Sequence, residues 1–212
     1  PGEPFTFSLV LMAHALAHLS ALLLAWERAL RTGLGVQRSR CTLVGVVDEI
    51  SLQPLLDKRE QLAFSPSPLP LSPTLGQHAT LQITSPLRLQ QQGKPAKAHN
   101  LDARTLLVTL ARRWQLLQDV ALGVDAPQQD FAHITAQASA ITLRGEGLRW
   151  FDWGRFSQHQ QQEMQWGGLL GSVHLTGDLS PFAPLLHLGQ WLHVGKNASF
   201  GRGGYRLSPS AA

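Results

Sequence analysis

The order of hydrophobic patterns in the second half of the chain most constrains its fold. Four stretches have the composition and alternation of strands: 79–89, 141–153, 166–178 and 203–209. Two stretches have apolar residues at helical spacing: 101–121 and 179–195. The resulting order of strand, helix, strand, strand, helix, strand is that of the ferredoxin-like split βαβ unit. We therefore predict an α+β module whose antiparallel sheet is backed by two helices, the second capped by Ser180 and Pro181.

The first half shows part of the same pattern. Residues 5–13 have a strand pattern, residues 14–32 a helical one, and GLGVQRSR (33–40) is a glycine-led basic loop before the strand-like CTLVGVVDE. The second half has the same succession of helix, glycine loop and strand near its end. We interpret residues 1–64 as the closing part of an N-terminal ferredoxin-like module whose opening part precedes Pro1. Residues 65–77, rich in proline, are the predicted linker, and residues 78–212 are the C-terminal module.

Composition sets the broad class of protein. A formal net charge of +4 and a pI near 9.8 permit a nucleic-acid partner. The single cysteine, Cys41, excludes an internal disulfide and is predicted to be a buried small hydrophobe at the start of a strand. The apolar segment 7–26 lacks a preceding basic region and is interrupted by His14 and His18, so we predict a soluble strand and helix and no membrane partner.

The stretch HVGKNASFGRGGYRL, His193 to Leu207, is the first candidate site. Closely spaced glycines allow close backbone approach to a ligand and can turn N–H groups toward phosphate oxygens. We therefore predict an RNA-backbone contact, with a glycine-rich helix-to-strand turn carrying incidental basic residues as the alternative. The candidates are the loop glycines Gly195, Gly201, Gly203 and Gly204, the cations Lys196, Arg202 and Arg206, and the neutral donors Asn197 and Ser199.

GRFSQHQ, residues 154–160, is the second candidate site. Arg155, His159 and Gln160 lie between two predicted strands, where their side chains can project over a sheet. A titratable imidazole beside an arginine suits either phosphate binding or proton transfer. The alternative interpretation is a polar, solvated hairpin in a glutamine-rich stretch.

Other residues carry weaker signals. Arg38 and Arg40 repeat the loop chemistry in the first half. Arg112 and Arg113 are a possible backbone clamp on a helix, with one of the two expected on the exposed face. Trp150 and Trp153 are candidates for base stacking, with core packing as the alternative. The four-residue spacing of His14 and His18 suits a metal, but no third ligand is evident, so we predict buried histidines satisfied within the core.

The C-terminal stretch from Leu148 to Leu207 resembles the C-terminal half of the CRISPR-associated endoribonucleases that process precursor CRISPR RNA, within the RAMP superfamily. The segments PFTFSLVLMAHALAHL and GLGVQRSRCTLVGV look like the middle section of that family. The resemblance implies that the glycine loop lies on an RNA-binding face, with His193 in place of the leading glycine of the usual pair. It also relates GRFSQHQ to an Arg-Tyr-Ser-x-Arg-Gln pattern in which His159 replaces the second arginine.

The resemblance further implies a function. The family cleaves repeat RNA without metal or cofactor: a 2′-hydroxyl attacks the scissile phosphate and leaves a 2′,3′-cyclic phosphate and a 5′-hydroxyl. The usual catalytic histidine lies near the first helix of the N-terminal module, which we expect to precede Pro1, so His159 and His193 are the candidates here. The expected partners are CRISPR repeat RNA and other CRISPR-associated proteins, in the cytoplasm. The alternatives are a non-catalytic RNA-binding RAMP subunit of an effector complex and the RNA-processing domain of a fusion with reverse transcriptase and integrase.

Overall fold

A computed structural model describes residues 2–56, 66–152, 154–157, 162–165 and 167–209. The chain divides into two compact units, Pro1–Leu71 and Ser72–Ala212. The first unit contains a 3₁₀ helix, Ala13–His18, followed by α1, Leu19–Thr32. The helices of the second unit are α2 (Ala103–Leu122), α3 (Phe131–Ser139) and α4 (Ala183–Leu192). Its strands are β1 (His78–Leu87), β2 (Gln90–Gln91), β3 (Lys94–Pro95), β4 (Thr142–Phe151), β5 (Gly154–Ser157), β6 (Gln162–Gln165), β7 (Gly168–Thr176) and β8 (Tyr205–Pro209).

The second unit is built on a four-stranded sheet in the order β4-β7-β1-β8. Each neighbouring pair is antiparallel. Helices α2 and α3 connect β1 to β4, and α4 connects β7 to β8. The first strand of the unit therefore lies between the third and the fourth, which is the arrangement of the split βαβ unit. The predicted α+β fold, with an antiparallel sheet backed by helices, is confirmed.

One face of this sheet forms the core. Leu81 of β1 and Val173 and Leu175 of β7 are buried on that face, because alternate residues of a strand point to the same side. They belong to one hydrophobic cluster with Leu106, Leu107 and Leu110 of α2 and Leu186 of α4. Asp102 begins α2 by accepting a hydrogen bond from the backbone N–H of Thr105 at 2.6 Å.

The other face of the sheet is polar. His174 of β7 contacts Thr80 of β1 through Nδ1, at 3.0 Å, and Glu146 of β4 through Nε2, at 2.8 Å. In the next row the Ser172 hydroxyl donates to the Gln82 side-chain oxygen at 2.7 Å. Both ring nitrogens of His174 therefore have partners on this face.

Three local features of the second unit differ from the prediction. Helix α3 and the β2–β3 hairpin had no recognised sequence signal. Ser180 is not the N-cap of α4: residues Ser180–Phe182 form a 3₁₀ turn, and the Ser180 amide donates to the Asp178 carboxylate at 3.1 Å. Pro184, which has no N–H to donate, lies in the first turn of α4, and the helix accordingly begins at Ala183.

The first unit departs further from the prediction. The strands predicted at residues 5–13 and 41–49 are wrong, since the described residues of this unit contain only the isolated bridges Leu34–Ser39 and Val47–Pro54. A strand is stabilised by the ladder it shares with a partner, and no such ladder forms here. The described helices include none long and apolar enough to cross a membrane.

Three side chains of the first unit also depart from the predicted burial. His14 and His18 are exposed on the 3₁₀ helix rather than buried. The 3₁₀ helix has no buried residue, and the buried residues of α1 are Leu19 and Leu30. Cys41 is half-buried and follows a loop instead of opening a strand. Its amide donates to the carbonyl of Leu30 at 2.9 Å.

The Asp48 carboxylate closes a loop of the first unit through hydrogen bonds, and it makes the stability of that unit depend on pH. Its buried carboxylate accepts hydrogen bonds from the amides of Ile50, Ser51 and Ser67, and the amide of Ser67 is the largest cause that lowers the pKa of Asp48 to about 2. A carboxyl whose pKa is lower in the folded than in the unfolded state stabilises the fold at higher pH. This contribution is present above about pH 4 and is lost as the pH falls toward about 2.

We therefore expect Asp48→Asn to be less stable than the native chain at pH 5 and to approach its stability near pH 2. The measurement is urea unfolding of both proteins across this pH range. A stability difference that stays constant with pH would contradict the role assigned to the carboxylate.

Candidate nucleic-acid interface

The glycine loop begins with a strained residue. Helix α4 ends at Leu192, and His193 follows with φ 60° and ψ 166°, while its N–H donates to the Gly189 carbonyl at 2.9 Å. This backbone region is almost confined to glycine, because other residues bring Cβ against the backbone there. His193 therefore occupies a position whose conformation favours glycine.

The two ends of the loop are joined through Gly203. Its carbonyl accepts a hydrogen bond from Val194 N–H at 3.0 Å, and its own N–H donates to the Pro86 carbonyl at 3.2 Å. Gly203 has φ 70°, and a Cβ added here would overlap the carbonyl oxygen of Val194. Glycine at this position is therefore required by both the backbone angle and the close approach of the two ends.

Gly195 and Lys196 attach the loop to the end of β1. The Lys196 amide donates to the Arg88 carbonyl at 2.8 Å. Gly195 has φ 92°, and a Cβ on it would lie 2.5 Å from the same carbonyl oxygen. The loop backbone thus packs directly on the segment that follows β1.

The amides of the later glycines are satisfied inside the protein. Gly201 N–H donates to the Ala198 carbonyl at 3.0 Å, and Gly204 N–H donates to the Ser85 hydroxyl at 2.8 Å. With Gly203 bonded to Pro86, none of these three amides is directed at solvent for a phosphate. The expectation that these glycines turn their N–H groups outward is therefore wrong, and the loop can offer a ligand its side chains instead.

The side chains of the loop divide into exposed and buried groups. Arg202 is only 5% exposed, so its guanidinium is covered by protein. Asn197 is half-buried and has a left-handed backbone with φ 64°. The exposed side chains are those of Lys196, Ser199, Phe200 and, on β8, Arg206. Two of the three predicted loop cations are therefore accessible to a phosphate.

One of the two arginines predicted as a backbone clamp lies at the start of the loop. Arg113 of α2 donates from Nε to the carbonyl of Leu192 at 2.6 Å, at the carboxyl end of α4, where a positive charge is favourable. Arg112, the other arginine of the pair, is exposed on α2. Helical spacing distinguishes them, since Arg113 follows the buried Leu106 and Leu110 by seven and three residues and shares their face.

The imidazole of His193 is half-buried beside this arginine. Burial, and then the charge of Arg113, lower the pKa of His193, and a hydrogen bond with the backbone of Arg202 opposes them. Burial also lowers the pKa of Arg113 and of Arg202. His193 is therefore neutral near pH 7, a state that accepts a proton more readily than it donates one.

The second candidate site lies on a separate hairpin. Strand β5 pairs antiparallel with β6, and Arg155 is opposite Met164 in the register. The other two members of this candidate site, His159 and Gln160, fall outside the described residues. The hairpin follows β4 directly, so Arg155 belongs to the same unit as the glycine loop.

The remaining candidates are dispersed. Arg38 and Arg40 are exposed in the first unit. Arg38 lies within a turn closed by two backbone hydrogen bonds of 2.9 Å between Leu34 and Ser39, and Arg40 follows that turn. Trp150 is partly buried against the core, with the Lys97 ammonium 3.5 Å from its ring centroid. Its predicted partner Trp153 lies outside the described residues. Across the described ranges, no group of three or more metal-ligating side chains occurs.

Comparison with known proteins relates both units to families. The sequence profile described as CRISPR-associated endoribonuclease Cas6 matches residues 81–205, which include the four-stranded sheet and the glycine loop. A second profile, described as an N-terminal domain, matches residues 1–68. No curated protein matches the chain.

One of the solved structures that match this chain has a TM-score above 0.5 and shows the same fold. A product complex of Cas6 (TTHB231) has a TM-score of 0.60 and 17% identity, covering 90% of this chain and 69% of that one. A second structure, Thermus thermophilus Cas6 (TTHB231), matches with a TM-score of 0.47 and 16% identity, covering 65% of this chain and 55% of that one. A partial Cas6-RT-Cas1–Cas2 complex matches with a TM-score of 0.42 and 21% identity, covering 64% of this chain and 23% of that one.

The chain spans between about half and two thirds of the length of the Cas6 structures it matches. The match to the Cas6 (TTHB231) product complex, with a TM-score of 0.60, covers most of this chain. The profile match covers more than half of the residues and ends at Tyr205, just beyond the glycine loop. The chain therefore belongs to the CRISPR-associated endoribonuclease Cas6 family.

Proposed function

We propose that this protein binds CRISPR repeat RNA through its glycine loop and hairpin and cleaves it without a metal ion. The observation that carries the proposal is the endoribonuclease profile, which matches the unit containing the loop. The 2′-hydroxyl gives its proton to water, and its oxygen forms a bond to phosphorus as the bond between phosphorus and the 5′-oxygen breaks. The products are a 2′,3′-cyclic phosphate and a 5′-hydroxyl, and the 5′-oxygen takes up a proton as it leaves.

The loop and the hairpin would supply different parts of this chemistry. Lys196 and Arg206 are exposed on the second unit and suit phosphate oxygens, where cations stabilise the charge of the crowded phosphorane. Arg155 on β5 extends the same set of cations. Of the two candidates for proton donation, His159 and His193, we favour His159, because burial and the charge of Arg113 lower the pKa of His193 and so make its protonated form scarcer.

The test is cleavage of radiolabelled repeat RNA in EDTA under single-turnover conditions. We expect products ending in a 2′,3′-cyclic phosphate and a 5′-hydroxyl. An RNA with a 2′-deoxy nucleotide before the scissile phosphate is the control, since it lacks the attacking hydroxyl and must remain intact. Binding without cleavage would instead support the non-catalytic RAMP subunit, and cleavage of the deoxy substrate would overturn the mechanism.

The RNA contact also predicts a change in salt dependence. If Lys196, Arg206 and Arg155 each contact one phosphate, replacing all three with alanine should reduce the log–log slope of affinity against salt by about 0.7 per contact. Arg202 is left in place because its buried side chain is part of the loop structure. The measurement is filter binding of repeat RNA from low to moderate salt.

Arg104→Ala provides the matched control for this experiment, because Arg104 is an exposed arginine in the first turn of α2 and belongs to neither candidate site. It should leave the slope unchanged. An unaltered slope in the triple variant would show that these cations make no phosphate contact.

The cellular setting stays a hypothesis within this proposal. We expect the protein to act in the cytoplasm with other CRISPR-associated proteins, since repeat RNA is its proposed ligand. The fusion with reverse transcriptase and integrase is the other arrangement that the sequence suggested. Sequencing the coding region around this chain distinguishes the two arrangements, because a fusion places all three domains in one reading frame.

A further inference from the structure

One side of helix α2 carries exposed apolar side chains at regular spacing. Leu116 is 57% exposed and Val120 is 78% exposed, and Val124, in the 3₁₀ turn that continues the helix, is fully exposed. Residues four apart in an α-helix lie on the same side of it. A single exposed apolar side chain is common on protein surfaces, but the outer side of a surface helix is normally polar, so a row of three requires an explanation.

Charges of opposite sign flank the two ends of this apolar row. Arg112 lies one helical turn before Leu116, and Asp125 directly follows Val124; both charged side chains are exposed. In the part of the chain that the structure describes, no ion pair includes either of them. We call the set formed by Arg112, Leu116, Val120, Val124 and Asp125 the α2 ridge. It has a cation at one end, an anion at the other and apolar side chains between them.

We propose that the α2 ridge binds the same ridge of a second copy of this chain, with the two helices antiparallel. A twofold axis near Gln118 sets Leu116 of one copy against Val120 of the other. The same axis sets Arg112 of one copy opposite Asp125 of the other, because both residues lie about six residues, or ~9 Å, from the axis. The ridge therefore complements itself in charge and in apolar surface, as a twofold interface requires.

The charges of the ridge favour a second copy over RNA as its occupant. A polyanion would gain one cation, Arg112, and would meet the exposed carboxylates of Asp119 and Asp125. A second copy instead gives both Arg112 and Asp125 a partner of opposite charge. This contact assigns the Arg112 side chain to protein rather than to the RNA backbone.

The small size of the ridge determines how strong the dimer is. A standard stable interface takes roughly 20–30 residues from each partner, and the ridge supplies far fewer. We therefore expect a weak dimer with a Kd on the order of 10 μM, so that the oligomeric state depends on protein concentration.

Sedimentation velocity of the full chain without RNA tests this contact. Between about 1 and 100 μM the average mass of the native chain should rise from that of a monomer toward twice that value. Val120→Lys places a lysine from each copy beside the axis and should keep the chain monomeric over this range. Because Val120 is exposed, this variant should retain the native Tm. Val44→Lys is the matched control, since Val44 is an exposed valine of the first unit outside the ridge, and it should dimerise as the native chain does.

Charge reversal tests the antiparallel arrangement of the two copies. Arg112→Glu and Asp125→Arg should each weaken dimerisation by about 5-fold or more, because twofold symmetry places each changed charge in two contacts. The variant that carries both changes exchanges the two charges and should recover the native affinity.

Three results would overturn the proposal. The native chain could stay monomeric up to about 100 μM, which would leave the ridge to a different partner. A dimer could persist in Val120→Lys, which would place the interface elsewhere. The doubly reversed variant could fail to recover the affinity lost in the single variants, which would exclude the pairing of Arg112 with Asp125. No RNA enters these measurements, so none of the results bears on the proposed cleavage.

Discussion

Replacing Gly203 with alanine is expected to destabilise the second unit by about 3 kcal/mol or more. The added Cβ overlaps the Val194 carbonyl oxygen, which lies against Gly203 because the two residues are joined by a hydrogen bond. The positive φ of 70° disfavours any residue with a side chain as well. The two ends of the loop must separate to accommodate the methyl group. Guanidinium unfolding followed by circular dichroism measures the loss.

Gly201→Ala is the matched control within the same loop. Gly201 has φ 78°, but a Cβ there would meet no atom within 4 Å. Only the backbone conformation is then disfavoured, and we expect a loss of about 1 kcal/mol. Equal losses for the two variants would show that the close contact between Gly203 and Val194 contributes nothing beyond backbone strain.

The second large effect is expected in catalysis. If His159 protonates the leaving 5′-oxygen, His159→Ala should slow single-turnover cleavage of repeat RNA by about 10²-fold and leave the affinity for RNA nearly unchanged. A histidine side chain can donate a proton near neutral pH, whereas the arginine of the related motif holds its charge. Cleavage rates in EDTA and binding constants are measured for both proteins.

His193→Ala tests the other candidate in the same assay. Because the pKa of His193 is lowered, a reaction that used its protonated form would already slow as the pH rises through a value below 6.5. We expect the pH–rate profiles of the native chain and of His193→Ala to be the same, with no additional fall in rate in the native chain. A rate lost only in His193→Ala would assign the acid to His193, and a rate retained in both variants would place it elsewhere.

The sheet of the second unit was predictable because its strands obey simple rules. Leu81, Val173 and Leu175 are buried on the alternate positions that one face of a sheet requires, and Leu106 and Leu110 follow helical spacing. The first unit was harder to predict, since the strand patterns at residues 5–13 and 41–49 form no ladder in the structure. An apolar alternation indicates what a segment can form, but a partner strand decides whether it does.

The candidate interface was predictable as a segment but not in detail. Glycine spacing identified the loop, yet sequence could not show that Arg202 is buried or that the amides of Gly203 and Gly204 bond to protein groups. The partners of those two amides, Pro86 and Ser85, lie at the end of β1, more than a hundred residues earlier in the chain. Arg112 and Arg113 were predicted together as a possible clamp, and the spacing of Arg113 from the buried Leu110 identifies it as the one on the buried face of α2.

The closed tip of the glycine loop bears on how fast a ligand is captured. Hydrogen bonds to Asn197, Gly203 and Arg88 hold the loop in one shape, so an arriving strand does not wait for a segment to order. If the loop binds RNA as proposed, the encounter rate follows diffusion and the attraction of Lys196 for a polyanion, while the lifetime of the complex follows the contacts made after arrival.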